Sequence, residues 1–108
     1  MLYYIYIGSN RVTIDHLSKI TGGMFMAVSS CNKAAKVIDG IRERYNTSIL
    51  YEESTPQKDS QNITFLHKRF PRVYIILITE GLQKEHRKLY LQAGVNNTLS
   101  PMASEERD

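Results

Sequence analysis

The stretch "RVYIILITEG", residues 72–81, decides the fold. From Val73 to Ile78 every side chain is apolar or aromatic, so a strand built from it buries both faces. A strand with one wet face would alternate apolar and polar residues instead. Thr79, Glu80 and Gly81 then break the run. Interior strands of this kind belong to parallel sheets, whose strands need crossover connections.

Those crossovers are legible on both sides. Downstream, residues 83–93 form a helix with His86, Leu89, Tyr90 and Ala93 inward, and Gly94 stops it. Residues 95–99 make a weaker strand, followed by Pro101 and a polar tail. Upstream, Asp59 or Ser60 caps a short helix carrying Ile63, Leu66 and Phe70, and Pro71 closes it. Residues 48–52 form the strand before it. Another amphipathic helix places Ala34, Val37, Ile38 and Ile41 on one face, with Ser29 or Ser30 as its cap and Asn46 at its end. Residues 24–28 and 3–7 are strands. Between them, residues 11–21 put Ile14, Leu17 and Ile20 on one helical side.

This β-α alternation predicts an α/β fold: a three-layer, doubly wound, parallel five-stranded sheet. Strands 3–7 and 73–78 should be interior, with 24–28 and 95–99 at the edges. That pattern fits the flavodoxin-like order 2-1-3-4-5. A fifth helix would start where the chain stops, so the last helix reads as truncated. Residues 1–108 are expected to be the N-terminal part of a longer multidomain protein.

Composition excludes several functions. The chain has 108 residues, 42% hydrophobic and 23% charged, in the range of one soluble globular domain. No apolar run approaches the ~18 residues of a membrane span. The opening MLYYIYIGSNR has no basic lead and reads as a strand, so a cytoplasmic protein is expected. Its net charge of +3 is spread over Arg42, Arg44, residues 67–72 and residues 84–88, which reads as solvated helix faces. That is not a concentrated nucleic-acid footprint. The single Cys31 supports neither an internal disulfide nor a metal cluster and reads as a small half-buried thiol. His16, His67 and His86 fall on three different helices. No Ser-His-Asp, Cys-His or CxxC arrangement occurs, and "IGSNR" lacks the further glycines of a nucleophile elbow, a P-loop or a dinucleotide fingerprint. No catalytic residue, no metal and no cofactor are expected.

In order and spacing, three segments resemble the receiver domain of two-component response regulators, the CheY-like family. "RVYIILITEG" resembles its fourth strand, with Thr79 as the switch hydroxyl. "YLQAGVNNTLSPM" is similar to the family's AGA-D-D-Y-L-x-K-P segment, with Ala93, Gly94 and Pro101 in place. "LYEESTPQKDS" resembles the end of the third strand, where receivers carry a phospho-accepting Asp four residues before a Pro. Counting back from Pro56 puts Glu52 there, or Glu53 if the register slips by one. Asp59 then falls on the Asp of the following family loop.

The departures bear on function. Receivers end their first strand with paired acids that bind magnesium; here stand Gly8, Ser9 and Asn10. The Lys before the final Pro is replaced by Ser100, and the aromatic switch position holds Thr98. Phosphoryl transfer needs a cation to hold the phosphate oxygens, and magnesium prefers carboxylate ligands. A Glu acceptor is one methylene too long for a geometry that tolerates errors of only about an ångström. Gly8, Ser9, Asn10, Glu52, Glu53, Thr79 and Ser100 therefore form a degenerate phosphorylation pocket. Glu52 reads either as a solvated strand-end acid or as a fixed charge imitating a phosphorylated state, with Thr79 bonded to it.

By the same resemblance, Lys84, Arg87, Tyr90, Leu91 and Thr98 lie on the face receivers use for dimers and output contacts. The expected function is a pseudo-receiver without Asp phosphorylation. It would regulate an attached DNA-binding or enzymatic output domain through protein contacts, possible as a homodimer. Neither a membrane nor direct nucleic-acid binding is expected. The alternatives are a functional phospho-accepting receiver with an atypical acid pocket, or a small flavodoxin-like ligand-binding domain.

Overall fold

The computed structural model describes residues 2–41 and 43–100. Five strands, β1 (Leu2–Ile7), β2 (Phe25–Val28), β3 (Asn46–Glu52), β4 (Tyr74–Ile78) and β5 (Asn97–Leu99), alternate with four helices, α1 (Arg11–Ile20), α2 (Cys31–Ile41), α3 (Pro56–Arg69) and α4 (Lys84–Ala93). All strand pairs are parallel and the order is β2-β1-β3-β4-β5. The two continuous apolar runs are interior and the two weaker strands are the edges, as the periodicity requires.

Strand alternation divides the core into two unequal halves. Ile5, Ile7, Ile49, Tyr51, Ile75 and Leu77 meet Ala34 and Ile38 of α2, Ile63 and Leu66 of α3, and Tyr90 and Ala93 of α4. The opposite face buries Tyr6, Leu50 and Ile78 against Leu17 of α1, with Tyr4, Ile14, Phe25 and Ile76 half-buried. Each fully buried aliphatic side chain contributes roughly 1.5–3 kcal/mol, so most of the stability resides on the side of α2, α3 and α4.

Local signals set the helix ends. The Asn10 Oδ1 accepts from the Thr13 N–H at 3.1 Å and starts α1, and the Ser30 Oγ accepts from the Lys33 N–H at 3.2 Å at α2. Gly94 ends α4 with φ 127°, and a Cβ there would stand 2.7 Å from the His67 ring, so only glycine fits.

Several expected boundaries move. Helix α3 begins at Pro56, ahead of Asp59 and Ser60, because proline suits the first helical position. Asp59 lies within the first turn and is buried. Helix α2 ends at Ile41, whose carbonyl takes the N–H groups of Arg44 and Tyr45. Asn46 therefore opens β3 instead of closing a helix. Ile20 is 62% exposed, leaving Leu17 and Ile14 to hold α1. Strand β5 shortens to three residues because the Asn96 side-chain oxygen accepts the Ile75 N–H at 2.8 Å. Cys31 is buried, and burial pushes its thiol up to about 11. Pro101 and the truncated last helix lie outside the described residues. Among those residues, no helix is long and apolar enough to cross a membrane.

Candidate functional site

The C-terminal ends of β1, β3 and β4 lie side by side, so the loops after them converge. Tyr6 is the first component. It is fully buried on the α1 side of the sheet, yet its phenol needs a partner. The side chain runs alongside Gly8 to the end of β3, where its hydroxyl donates to Glu52 Oε1. The Tyr6 hydroxyl oxygen in turn accepts from the Asn10 N–H at 3.3 Å. Gly8 makes this passage possible: a Cβ there would sit 2.5 Å from the Tyr6 hydroxyl and 2.9 Å from the Glu52 Cβ. Burial first, and then the Glu52 hydrogen bond, raise the Tyr6 pKa well above the usual phenol range. The phenol is neutral and is the donor.

One residue on, the chain turns Glu53 toward β4. The Glu53 N–H donates to the Ile78 carbonyl at 2.9 Å. Its carboxylate accepts from the Thr79 hydroxyl at 2.6 Å, and Thr79 Oγ1 accepts from the Gly81 N–H at 3.3 Å. The expected Thr79 to Glu52 bond is therefore corrected: consecutive strand residues point to opposite faces, so only Glu53 can face Thr79 once Glu52 faces Tyr6.

Asn10, Thr13, Glu52, Glu53, Ile78, Thr79 and Glu80 line one cavity of about 260 Å³. The structure thus brings together Asn10, Glu52, Glu53 and Thr79, with Gly8 beneath the Tyr6–Glu52 contact. Ser9 and Ser100 are exposed and do not line it. Among the described residues lining the cavity, the ionisable groups are the three carboxylates, so it repels anions.

Several of these donors are already engaged. Asn10 spends its side-chain oxygen capping α1, and Glu52 is engaged by a phenol. Among the described residues, no group of three or more His, Cys, Asp or Glu side chains could hold a metal ion.

A second polar constellation escaped the sequence reading. Asp59 is fully buried. Its carboxylate accepts from the Tyr51 hydroxyl at 3.0 Å, the Tyr90 hydroxyl at 2.7 Å, and the Ser54 N–H and hydroxyl at 2.7 and 2.9 Å. Asn62 donates to Tyr51 at 3.0 Å. Burial is the main reason that the phenols of Tyr51 and Tyr90 titrate far above their usual range. The available signal was the inward position of two tyrosines on β3 and α4, each of which needs a buried acceptor.

This network corrects the proposed interaction face. Tyr90 is 1% exposed and cannot contact a partner, because Asp59 draws it under α4. Lys84, Arg87, Leu91 and Thr98 are exposed, and Leu91 is 58% accessible.

No protein-family model matches the sequence, and a search of curated proteins gives no match. Solved structures do match. A CheY-like protein (tadZ) from Pseudomonas aeruginosa has a TM-score of 0.73 at 11% identity, covering 99% of this chain and 91% of that one. A candidate pilus assembly-related protein from Burkholderia pseudomallei scores 0.72 at 15% identity, covering 99% and 86%. A candidate pilus assembly protein (cpaE) from Burkholderia thailandensis scores 0.71 at 14% identity, covering 99% and 94%. At these identities the likeness concerns the fold: the chain has the CheY-like receiver architecture.

Proposed function

We propose that the protein is a non-catalytic, receiver-like signalling module whose phosphorylation pocket has become a fixed set of hydrogen-bonded carboxylates. One observation carries this reading. Glu52 and Glu53, at the acceptor position, are each already engaged by a hydroxyl from a neighbouring strand, Tyr6 and Thr79. A phosphoryl group would have to displace those donors and enter a cavity lined by three carboxylates. The module then acts through protein contacts made by the exposed Lys84, Arg87, Leu91 and Thr98. It regulates an attached output domain, DNA-binding or enzymatic, or a second copy of itself, in the cytoplasm. Pilus assembly, named for two of the fold neighbours, is the first setting in which to seek that partner.

The test is a magnesium titration with and without beryllofluoride, a mimic of a phosphoryl group on a carboxylate, followed through the backbone amides. The expected result is no saturable shift at Gly8, Glu52, Glu53 or Thr79 at millimolar magnesium. Saturable shifts that spread to residues 84–100 would overturn the reading and make the domain a working receiver with a disguised acid pocket.

A further inference from the structure

Parallel sheets are ordinarily covered on both faces. Here the cover is uneven. Helices α2, α3 and α4 all contribute to the core on one face. Among the described helices, α1 alone contributes to the core on the other.

Register places the part of that face left open. Ile76 and Ile78 face the α1 side, so Tyr74 does too, two residues before Ile76. Leu99 is paired with Ile78 and shares its side. Tyr74 and Leu99 are exposed, and Ile76 is half-buried. Together they form an apolar lane along β4 and β5.

Helix α1 supplies the wall. Leu17 turns onto the sheet, and Ile14 and Ile20, three residues to either side, fall on opposite flanks of it. A right-handed β1-α1-β2 crossover directs the Ile14 flank toward β2, whose Phe25 belongs to the same cluster. The Ile20 flank therefore faces β3 and β4. Ile14 is half-buried, but Ile20 is 62% exposed, and Val12, at the outer edge of the same flank, is 59% exposed. The lane is about as wide as one helix: β3 to β5 spans two strand spacings, about 10 Å, against a helix diameter of about 10–12 Å.

Charge gives the lane a direction. At the end where the strands finish lies the cavity lined by Thr13 of α1, Ile78 of the floor, and Glu52, Glu53 and Glu80. Tyr6 and Thr79 donate to two of these carboxylates without neutralising them. Among the described residues lining the cavity there is no Lys or Arg. A helix lying in the lane is favoured with basic side chains at that end. Its N-terminus is favoured there as well, because that end of the helix dipole is positive.

We infer that this lane is a docking site for an amphipathic helix of another protein. The helix lies alongside α1, with its apolar stripe on Ile20, Tyr74, Ile76 and Leu99 and its basic N-terminal turn over the three carboxylates. The site is on the opposite side of the sheet from α4 and does not depend on the contacts proposed for Lys84, Arg87, Leu91 and Thr98.

The test uses three synthetic four-turn peptides, titrated against the whole chain by amide NMR at low salt. The first carries a stripe of Leu and two Lys in its first turn. The second has Glu in place of the Lys, and the third keeps the Lys but has Ser in place of the Leu. Saturable shifts with the first are expected at Val12, Ile20, Tyr74, Ile76 and Leu99, and also at Glu52 and Glu80. It should bind about tenfold more tightly than the second, the scale of a few screened charge pairs, and high salt should narrow that gap. The third should not saturate. Ile20→Glu and Tyr74→Glu, both at exposed positions, should each weaken the first peptide by about tenfold or more, while Leu91→Glu on the other side leaves it unchanged. Absence of saturation at millimolar concentrations of the first peptide would overturn the proposal. So would shifts centred on α4, equal affinities for the Lys and Glu peptides, or affinities unchanged in both lane variants. A dimer in sedimentation that Ile20→Glu dissociates would give the lane to a second copy of the chain and overturn the assignment to another protein. Nuclear Overhauser contacts from Met102 or Ala103 to Tyr74 and Leu99 in the free chain would overturn it as well, giving the lane to the chain's own tail.

Discussion

The Thr79 hydroxyl at the end of β4 donates to the Glu53 carboxylate at the end of β3 over 2.6 Å. This bond ties two interior strands at the rim of the sheet, where a receiver would need a hydroxyl that can move. Thr79 is itself buried. Removing its hydroxyl leaves Glu53 short of a donor, and a hydrogen bond to a charged group contributes about 1.5–3 kcal/mol. Glu53 is half-buried, so water replaces part of that loss. Thr79→Val is therefore expected to lower unfolding free energy by about 1–2 kcal/mol in urea titrations. Thr79→Ser should stay close to the parent. In a Glu53→Gln background the Thr79→Val effect should shrink, and an unchanged effect would mean that the bond contributes nothing.

Alkaline pH should unfold the protein for a definable reason. Tyr6, Tyr51 and Tyr90 are phenols whose folded pKa values are raised above the usual range, chiefly by burial and then by their hydrogen bonds. The neutral phenol is the form the fold holds. Its contribution is fully present below the unfolded value of about 10 and is lost as pH rises from there toward the folded values. Stability measured between pH 7 and pH 11.5 should therefore be level in these groups at first, then fall steeply above about pH 10. Cys31, pushed up to about 11, adds a smaller decline that starts from about pH 9. Replacing any one of the three tyrosines by Phe should make the decline shallower, whatever it does at neutral pH.

Tyr90→Phe and Asp59→Asn separate the two ends of the buried network. Tyr90→Phe removes one donor and leaves three on the Asp59 carboxylate. A loss of about 1–2 kcal/mol is expected. Asp59→Ala removes the acceptor from two buried phenols and from Ser54 together, so a loss of at least ~3 kcal/mol is expected. Asp59→Asn should fall between them, since its amide retains one oxygen. Hydrogen exchange should show Tyr90→Phe loosening α4 more than α2, because Tyr90 anchors α4 to α3 and β3.

The architecture was legible because continuous apolar runs and helical stripes alternate without interruption. The strand order followed from which runs have two buried faces. Asp59 was misread for a simple reason. An Asp near a helix start reads as a cap when only local sequence is considered, and nothing nearby reveals that Tyr90, 31 residues away, will supply a phenol. Tyr6 was missed similarly, since a strand aromatic looks like core until Gly8 is seen to let its hydroxyl pass. Glu52 and Glu53 were legible as adjacent acids at the end of the third strand, and both line the cavity there, but their partners depend on strand register across β1, β3 and β4.

Gly8→Ala should expose that dependence. The new methyl would stand 2.5 Å from the Tyr6 hydroxyl, 2.7 Å from its Cζ and 2.9 Å from the Glu52 Cβ. Neither neighbour can yield easily, because Tyr6 is fully buried and the Glu52 Cβ is fixed to the backbone. Overpacking of this kind costs about 1–3 kcal/mol, and it should also separate the phenol from Glu52. Adding Tyr6→Phe removes the closest atom but keeps the Cζ contact, so rescue should be partial. Tyr6→Leu has no atom at either position and should recover more of the Gly8→Ala loss, at the expense of its own smaller core. Urea titrations of the single and double variants read this as a positive coupling between residues 6 and 8. Strict additivity would mean that the Tyr6 ring leaves its position over Gly8 readily and that the Tyr6–Glu52 contact is loose.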